Sequence, residues 1–110
     1  MMQQFVIKRG DTSPALRYLL LPADVTLAGA SVRFQMRPRG GTTMIDRPAE
    51  IVTVFEPALV AYAWQQGDTD IAGRYEAEFR ATYMDGTFET FPNLGFIEVF
   101  VTENVPGLSA

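Results

Sequence analysis

Two glutamates stand two residues apart, at Glu76 and Glu78. In a strand that spacing puts both carboxylates on one face about 7 Å apart, a separation that paired glycosidase carboxylates use. Arg74 and Arg80 flank them at the same parity. The row then reads Arg-Glu-Glu-Arg, and exposed ion pairs account for it better than catalysis does. Asp68 and Asp70, with Thr69 between them, offer hard oxygens to calcium, but the glycine and the distal glutamate of an EF-hand loop are missing, so turn and capping roles suit them better. Tyr62 and Trp64 project from one strand face. As an exposed pair they would stack on a sugar ring, and as a buried pair they would plug a sandwich core, which is the favoured reading. Arg33, Arg37 and Arg39 mark a basic edge beside the Pro38-Arg39-Gly40-Gly41 turn. An acidic patch on a protein partner is their expected target, because the interleaved aromatics of a single-strand nucleic-acid groove are absent.

The residues the chain lacks restrict the chemistry further. Among 110 residues there is no histidine and no cysteine. This removes imidazole bases, Ser-His-Asp and Cys-His machinery, thiolate nucleophiles, disulfides and zinc knuckles. No enzyme activity, cofactor or metal is expected. The net charge is −4, so a phosphate-gripping nucleic-acid binder is not expected either. That sum hides an asymmetry: residues 1–47 carry seven basic and three acidic side chains, and residues 48–110 carry two basic and ten acidic ones. If the halves occupied different faces, the molecule would be electrostatically two-sided and suited to stacking or docking. No apolar run, Tyr18 to Leu21 and Ala58 to Trp64 included, is long enough to cross a bilayer, and no positively charged leader precedes a long apolar stretch at the N-terminus. The expectation is a protein kept inside a cell or carried in a particle assembled there.

These residues must be positioned by strands, because the hydrophobic period is two. Val32, Phe34 and Met36 alternate with Arg33, Gln35 and Arg37, and Tyr75, Ala77, Phe79, Ala81 and Tyr83 alternate with the Arg-Glu-Glu-Arg row and Thr82. The second run ends at Met84-Asp85-Gly86, a hairpin signal, which predicts a partner strand over Thr87 to Phe91. Further strands are expected at Phe5 to Lys8, Ala15 to Leu21, Glu50 to Phe55, Leu59 to Trp64 and Phe96 to Thr102. All seven prolines fall at or beside the ends of these runs, where no ladder bond is lost. Only Asp24 to Gly29 or Gln65 to Ile71 has room for a helical turn. Seven to nine short strands separated by such turns predict an all-β, immunoglobulin-like antiparallel sandwich over roughly residues 1–104, with residues 105–110 as a tail.

The segment Asp70 to Phe79, DIAGRYEAEF, has the layout of a tyrosine corner. An acidic residue (Asp70), a small turn residue (Gly73), a tyrosine (Tyr75) and a core position two further on (Ala77) follow in order. Alanine stands where antibody domains have a cysteine, so the likeness is to cysteine-free sandwiches.

Five ordered phrases extend this pattern over the whole chain: Lys8-Arg9-Gly10-Asp11-Thr12; Leu27 through Phe34; Trp64 through Asp70 with Gly73 and Tyr75; Asp85-Gly86; and Thr90-Phe91-Pro92. Together, over about residues 5–102, they resemble the N-terminal domain of the phage baseplate upper protein family. The resemblance implies an immunoglobulin-like sandwich that fixes a larger protein to the phage tail, with receptor-binding parts carried by a later region. Here the sequence stops where that domain stops, so the expectation is a stand-alone copy acting as a virion building block. Its partners would be other virion proteins and copies of itself, met through faces, sheet edges or terminal arms at Met1 to Gln4 and Val105 to Ala110. Tail, baseplate, neck and capsid decoration are the expected positions, and a carbohydrate-binding module using Tyr62 and Trp64 is the alternative from another class.

Overall fold

The computed structural model describes residues 3–21 and 25–105. Nine strands run in chain order: β1 (Gln4–Lys8), β2 (Leu16–Leu19), β3 (Ser31–Pro38), β4 (Ile45–Pro48), β5 (Glu50–Thr53), β6 (Leu59–Tyr62), β7 (Gly73–Thr82), β8 (Phe88–Phe91) and β9 (Ile97–Thr102). There is no helix among the described residues. The segment Gln65 to Ile71 forms reverse turns instead, with Asp68 N–H donating to the Gln65 carbonyl at 3.0 Å. Residues 1–2, 22–24 and 106–110, which include part of each expected terminal arm and of the other expected helical turn, lie outside the described residues.

The strands form two sheets that make a β-sandwich. The larger has six strands in the order β1-β9-β7-β3-β4, with β8 also on β7, and the smaller has the order β2-β6-β5. With β2, β3, β4, β5, β6 and β7 taken as strands B, C, C′, D, E and F, and β9 as G, this is the strand order of an immunoglobulin-like sandwich. One pairing departs from the antiparallel expectation: β1 runs parallel to β9, from Gln4 opposite Glu98 to Lys8 opposite Thr102. β8 and β9 lie end to end along the same side of β7, pairing with its Phe79–Thr82 and Gly73–Ala77 stretches respectively. β4 and β5 are nearly one strand that changes sheets at Ala49, whose N–H bonds the Val32 carbonyl at 2.8 Å.

The period-two pattern decides which side chains turn inward. Val32, Phe34 and Met36 on β3, Tyr75, Ala77, Phe79 and Ala81 on β7, and Ile97, Val99 and Val101 on β9 are buried against Leu16, Val60 and Tyr62 of the small sheet. Burial of these apolar faces is the main favourable term in folding. Aromatic rings fill the centre: Phe34 stacks on Tyr62 at 4.2 Å, meets Trp64 edge-on at 5.7 Å and tilts against Phe79 at 5.1 Å. The hairpin between β7 and β8 forms where Asp-Gly predicts it. Gly86 N–H donates to the Tyr83 carbonyl at 2.9 Å, and Gly86 has φ +88°, a conformation open to glycine at no steric cost. Asp85 closes the turn by accepting from the Thr87 N–H at 2.9 Å and its hydroxyl at 2.6 Å. The hydroxyl and amide of Thr87 hold the Asp85 carboxyl below its ordinary range.

Candidate functional site

Alternation along β7 sends Arg74, Glu76, Glu78 and Arg80 to the outer face of the large sheet, opposite the core. The register places Arg37 beside Glu76, Gln35 beside Glu78 and Arg33 beside Arg80 on one flank. Glu98 stands beside Glu76 and Phe100 beside Arg74 on the other. Ion pairs tie much of this row down. Arg37 Nε donates to Glu76 at 3.0 Å, Arg74 lies 3.5 Å from Glu98, and Arg33 Nε donates to Asp46 at 2.8 Å. The Arg33 hydrogen bond is the chief reason that the Asp46 carboxyl titrates below its ordinary range.

Three of the four arginines also lie over phenylalanine rings. The guanidinium carbons of Arg37, Arg74 and Arg80 are 5.3, 4.5 and 4.6 Å from the ring centroids of Phe96, Phe100 and Phe88. Cation–π attraction at such exposed positions is worth about 0.5–1 kcal/mol each. Its larger consequence is to hold flat aromatic and guanidinium surfaces outward on a rigid sheet. A groove of about 280 Å³ lies beside this row, lined by Gln35, Arg37, Thr43, Glu76, Glu78 and Phe96. Among the described residues, Glu78 and Arg80 have no ion-pair partner.

The sequence-stated candidates divide. Arg33 and Arg37 sit on this face, each engaged by an acidic neighbour, while Arg39 lies in the turn after β3 and its backbone N–H bonds the Arg74 carbonyl. They do not form a continuous basic edge. Nor do the basic and acidic halves of the sequence separate, because Arg9–Glu103, Arg37–Glu76 and Arg47–Asp68 join one half to the other. Strand pairing interleaves the halves, so the expected two-sided charge is not seen. Tyr62 and Trp64 are 2% and 5% exposed. Both rings belong to the core, which leaves no free ring face at either residue for stacking on a sugar.

Asp70 is exposed and Gly73 opens β7 at φ +150°, in the region that favours glycine. Tyr75 is buried, and its hydroxyl donates to the Ile71 carbonyl four residues upstream. Burial raises the Tyr75 pKa. Because the bond satisfies a carbonyl at the base of the turn, Tyr75→Phe is expected to cost about 1 kcal/mol. Thermal denaturation reads this as a drop of roughly 4–8 °C, and an unchanged Tm would show that the hydroxyl contributes nothing.

Comparison of the chain with protein-family models, with curated proteins and with solved structures finds no match.

A second cluster escaped the sequence reading. Arg47 on β4 and Tyr62 on β6 converge on Asp68 in the loop before β7. Arg47 Nη1 donates to Asp68 Oδ1 at 2.6 Å and to the Tyr62 hydroxyl at 2.7 Å, Tyr62 donates to Asp68 Oδ2 at 2.6 Å, and the Gln65 N–H donates to the same oxygen at 2.8 Å. Burial, followed by the Asp68 hydrogen bond, pushes the Tyr62 pKa up to about 12. With both carboxylate oxygens occupied by protein donors, Asp68 is a clamp that joins the two sheets to the loop. Among the described residues no group of three or more acidic side chains could hold a metal ion.

Proposed function

We propose that this protein is a structural subunit of a bacteriophage particle, a small β-sandwich that docks on neighbouring tail, baseplate or neck proteins during assembly. The observation that carries the reading is the outer face of the large sheet. Arginine and aromatic side chains are enriched at protein interfaces, and here arginines are held over Phe88, Phe96 and Phe100 on a rigid, solvent-facing surface. The likeness to the phage baseplate upper protein domain supports the choice of particle. Its phrases fall at the turn leaving β1, the approach to β3, the loop before β7, the hairpin after β7 and the end of β8. These are the joints of the sandwich, so the likeness concerns the scaffold rather than a reactive site. The outer edges of β1, β2, β4 and β5 present backbone groups to which a neighbour's strand can add.

Mass spectrometry of purified particles tests the proposal. The chain is expected at stoichiometric copy number among the virion proteins, in the tail fraction once tails and heads are separated. Recovery with heads alone would make it a capsid decoration. Its presence only in the host cytoplasm would remove the virion role.

A further inference from the structure

We propose that the outer face of the large sheet is a homodimer interface, in which two copies meet about a two-fold axis near Phe79 and Glu78 of each copy pairs with Arg80 of the other. A two-fold interface uses the same patch twice, so any residue that meets a second one must be met by it in return. The outward row of β7 limits where such an axis can pass. With two β7 strands facing each other antiparallel, an axis at Ala77 would set Arg74 against Arg80 and Glu76 against Glu78, all of them like charges. An axis at Tyr75 would match Arg74 with Glu76, but those groups are already held within their own copy by Glu98 and Arg37. An axis at Phe79 matches Glu78 with Arg80 twice over, and these are the two charges on the row that no ion pair occupies among the described residues.

Three further observations favour a second copy over a partner of one charge sign. The face is balanced, Arg33, Arg37, Arg74 and Arg80 standing among Asp46, Glu76, Glu78 and Glu98, so it complements itself; a uniformly basic face would repel its copy. The Arg80 guanidinium is already oriented by Phe88, and its terminal nitrogens, which no ion pair occupies among the described residues, are the donors that can meet a carboxylate. Phe88 itself is 60% exposed beside that guanidinium, an apolar anchor next to the paired charges. The geometry also permits it, since packed sheets lie about 10 Å apart with strands within about 30° of each other, a gap that facing Arg and Glu side chains bridge.

This inference goes beyond the virion reading: it makes the neighbour on this face a second copy and leaves the sheet edges to other virion proteins, and it does not depend on that reading, because it is measured on the purified chain. Sedimentation velocity over a concentration series is expected to show a dimer for the wild type. Glu78→Arg and Arg80→Glu each place like charges across the axis twice, and each variant alone is expected to sediment as a monomer. Mixed in equal amounts they restore both pairs, and the dimer should return as a heterodimer. Circular dichroism of each variant checks that it is folded. If a charge reversal does not fold, Arg80→Gln replaces it, with the dimer Kd expected to rise about tenfold or more from loss of both symmetric pairs. A monomeric wild type, dimers that survive the single reversals, or folded variants that stay monomeric on mixing would each overturn the proposal.

Discussion

Phe34→Ala is expected to destabilise the protein by about 4 kcal/mol, lowering Tm by roughly 15 °C or more. The ring is fully buried, at 0% exposure, at the midpoint of β3. It touches aromatic rings from three segments: Tyr62 on the small sheet, Phe79 on β7 and Trp64 in the loop after β6. Truncation to alanine removes the transfer energy of the ring and leaves a cavity that three stiff neighbours cannot close. Offset and edge contacts add about 0.5–1.5 kcal/mol per aromatic pair beyond burial. Since native domains are stable by only about 5–15 kcal/mol, this one change takes a large share of the margin. Leu94→Ala is the control: Leu94 is 92% exposed, and its loss should stay within about 0.5 kcal/mol. A Phe34→Ala protein that melts within a few degrees of wild type would show that the aromatic cluster is not what joins the sheets.

The strands that alternate cleanly were legible in the sequence, and those whose residues answer to distant partners were not. β3 and β7 follow from period two alone, because each strand's own side chains record which face is buried. The hairpin at Met84-Asp85-Gly86 follows from local turn chemistry. β4 was missed because only Ile45 of its four residues is fully buried and the strand ends in Pro48, a composition tolerated at a sheet edge but indistinct from a loop. The parallel pairing of β1 with β9 joins residues more than ninety positions apart, and no local pattern reports it. On the outer face, the Arg-Glu-Glu-Arg row was visible, yet which glutamate each arginine meets depends on the register with β3 and β9. Arg37 takes Glu76 and Arg74 takes Glu98, so the row's own neighbours are left over. The Arg47–Tyr62–Asp68 cluster did leave a trace: Arg47 shares the inward parity of Ile45, and a charge at such a position needs a buried partner.

Asp68→Ala is expected to cost about 3 kcal/mol and to loosen the loop before β7 ahead of the sandwich. The carboxylate is 4% exposed on its side chain and receives donors from Arg47, Tyr62 and the Gln65 amide. Hydrogen bonds to a charged group contribute about 1.5–3 kcal/mol, and removing the acceptor leaves the buried Tyr62 hydroxyl with no acceptor for its proton. The guanidinium of Arg47 is 42% exposed, so water recovers it, and the loss stays at the low end of the 3–5 kcal/mol typical of a broken buried pair. Asp68→Asn keeps one acceptor oxygen and should lose about half as much. Hydrogen exchange should show the amides of residues 65 to 70 opening first in both variants. The hydroxyl supplies a pH signature as well. Tyr62 is held protonated up to about 12 in the folded protein, whereas an unfolded tyrosine titrates near 10. The sign follows from linkage: the contribution is full below about pH 10 and is lost as the pH rises from about 10 to about 12, because the unfolded chain releases its proton first. Tyr83, also raised to about 12 by burial and then by Glu89, adds to the same alkaline slope. Tyr62→Phe should therefore flatten the fall in urea-unfolding stability above pH 10 without abolishing it. An alkaline slope unchanged in that variant, or an Asp68→Ala protein as stable as wild type, would mean that the two sheets and the loop are joined by the aromatic core alone.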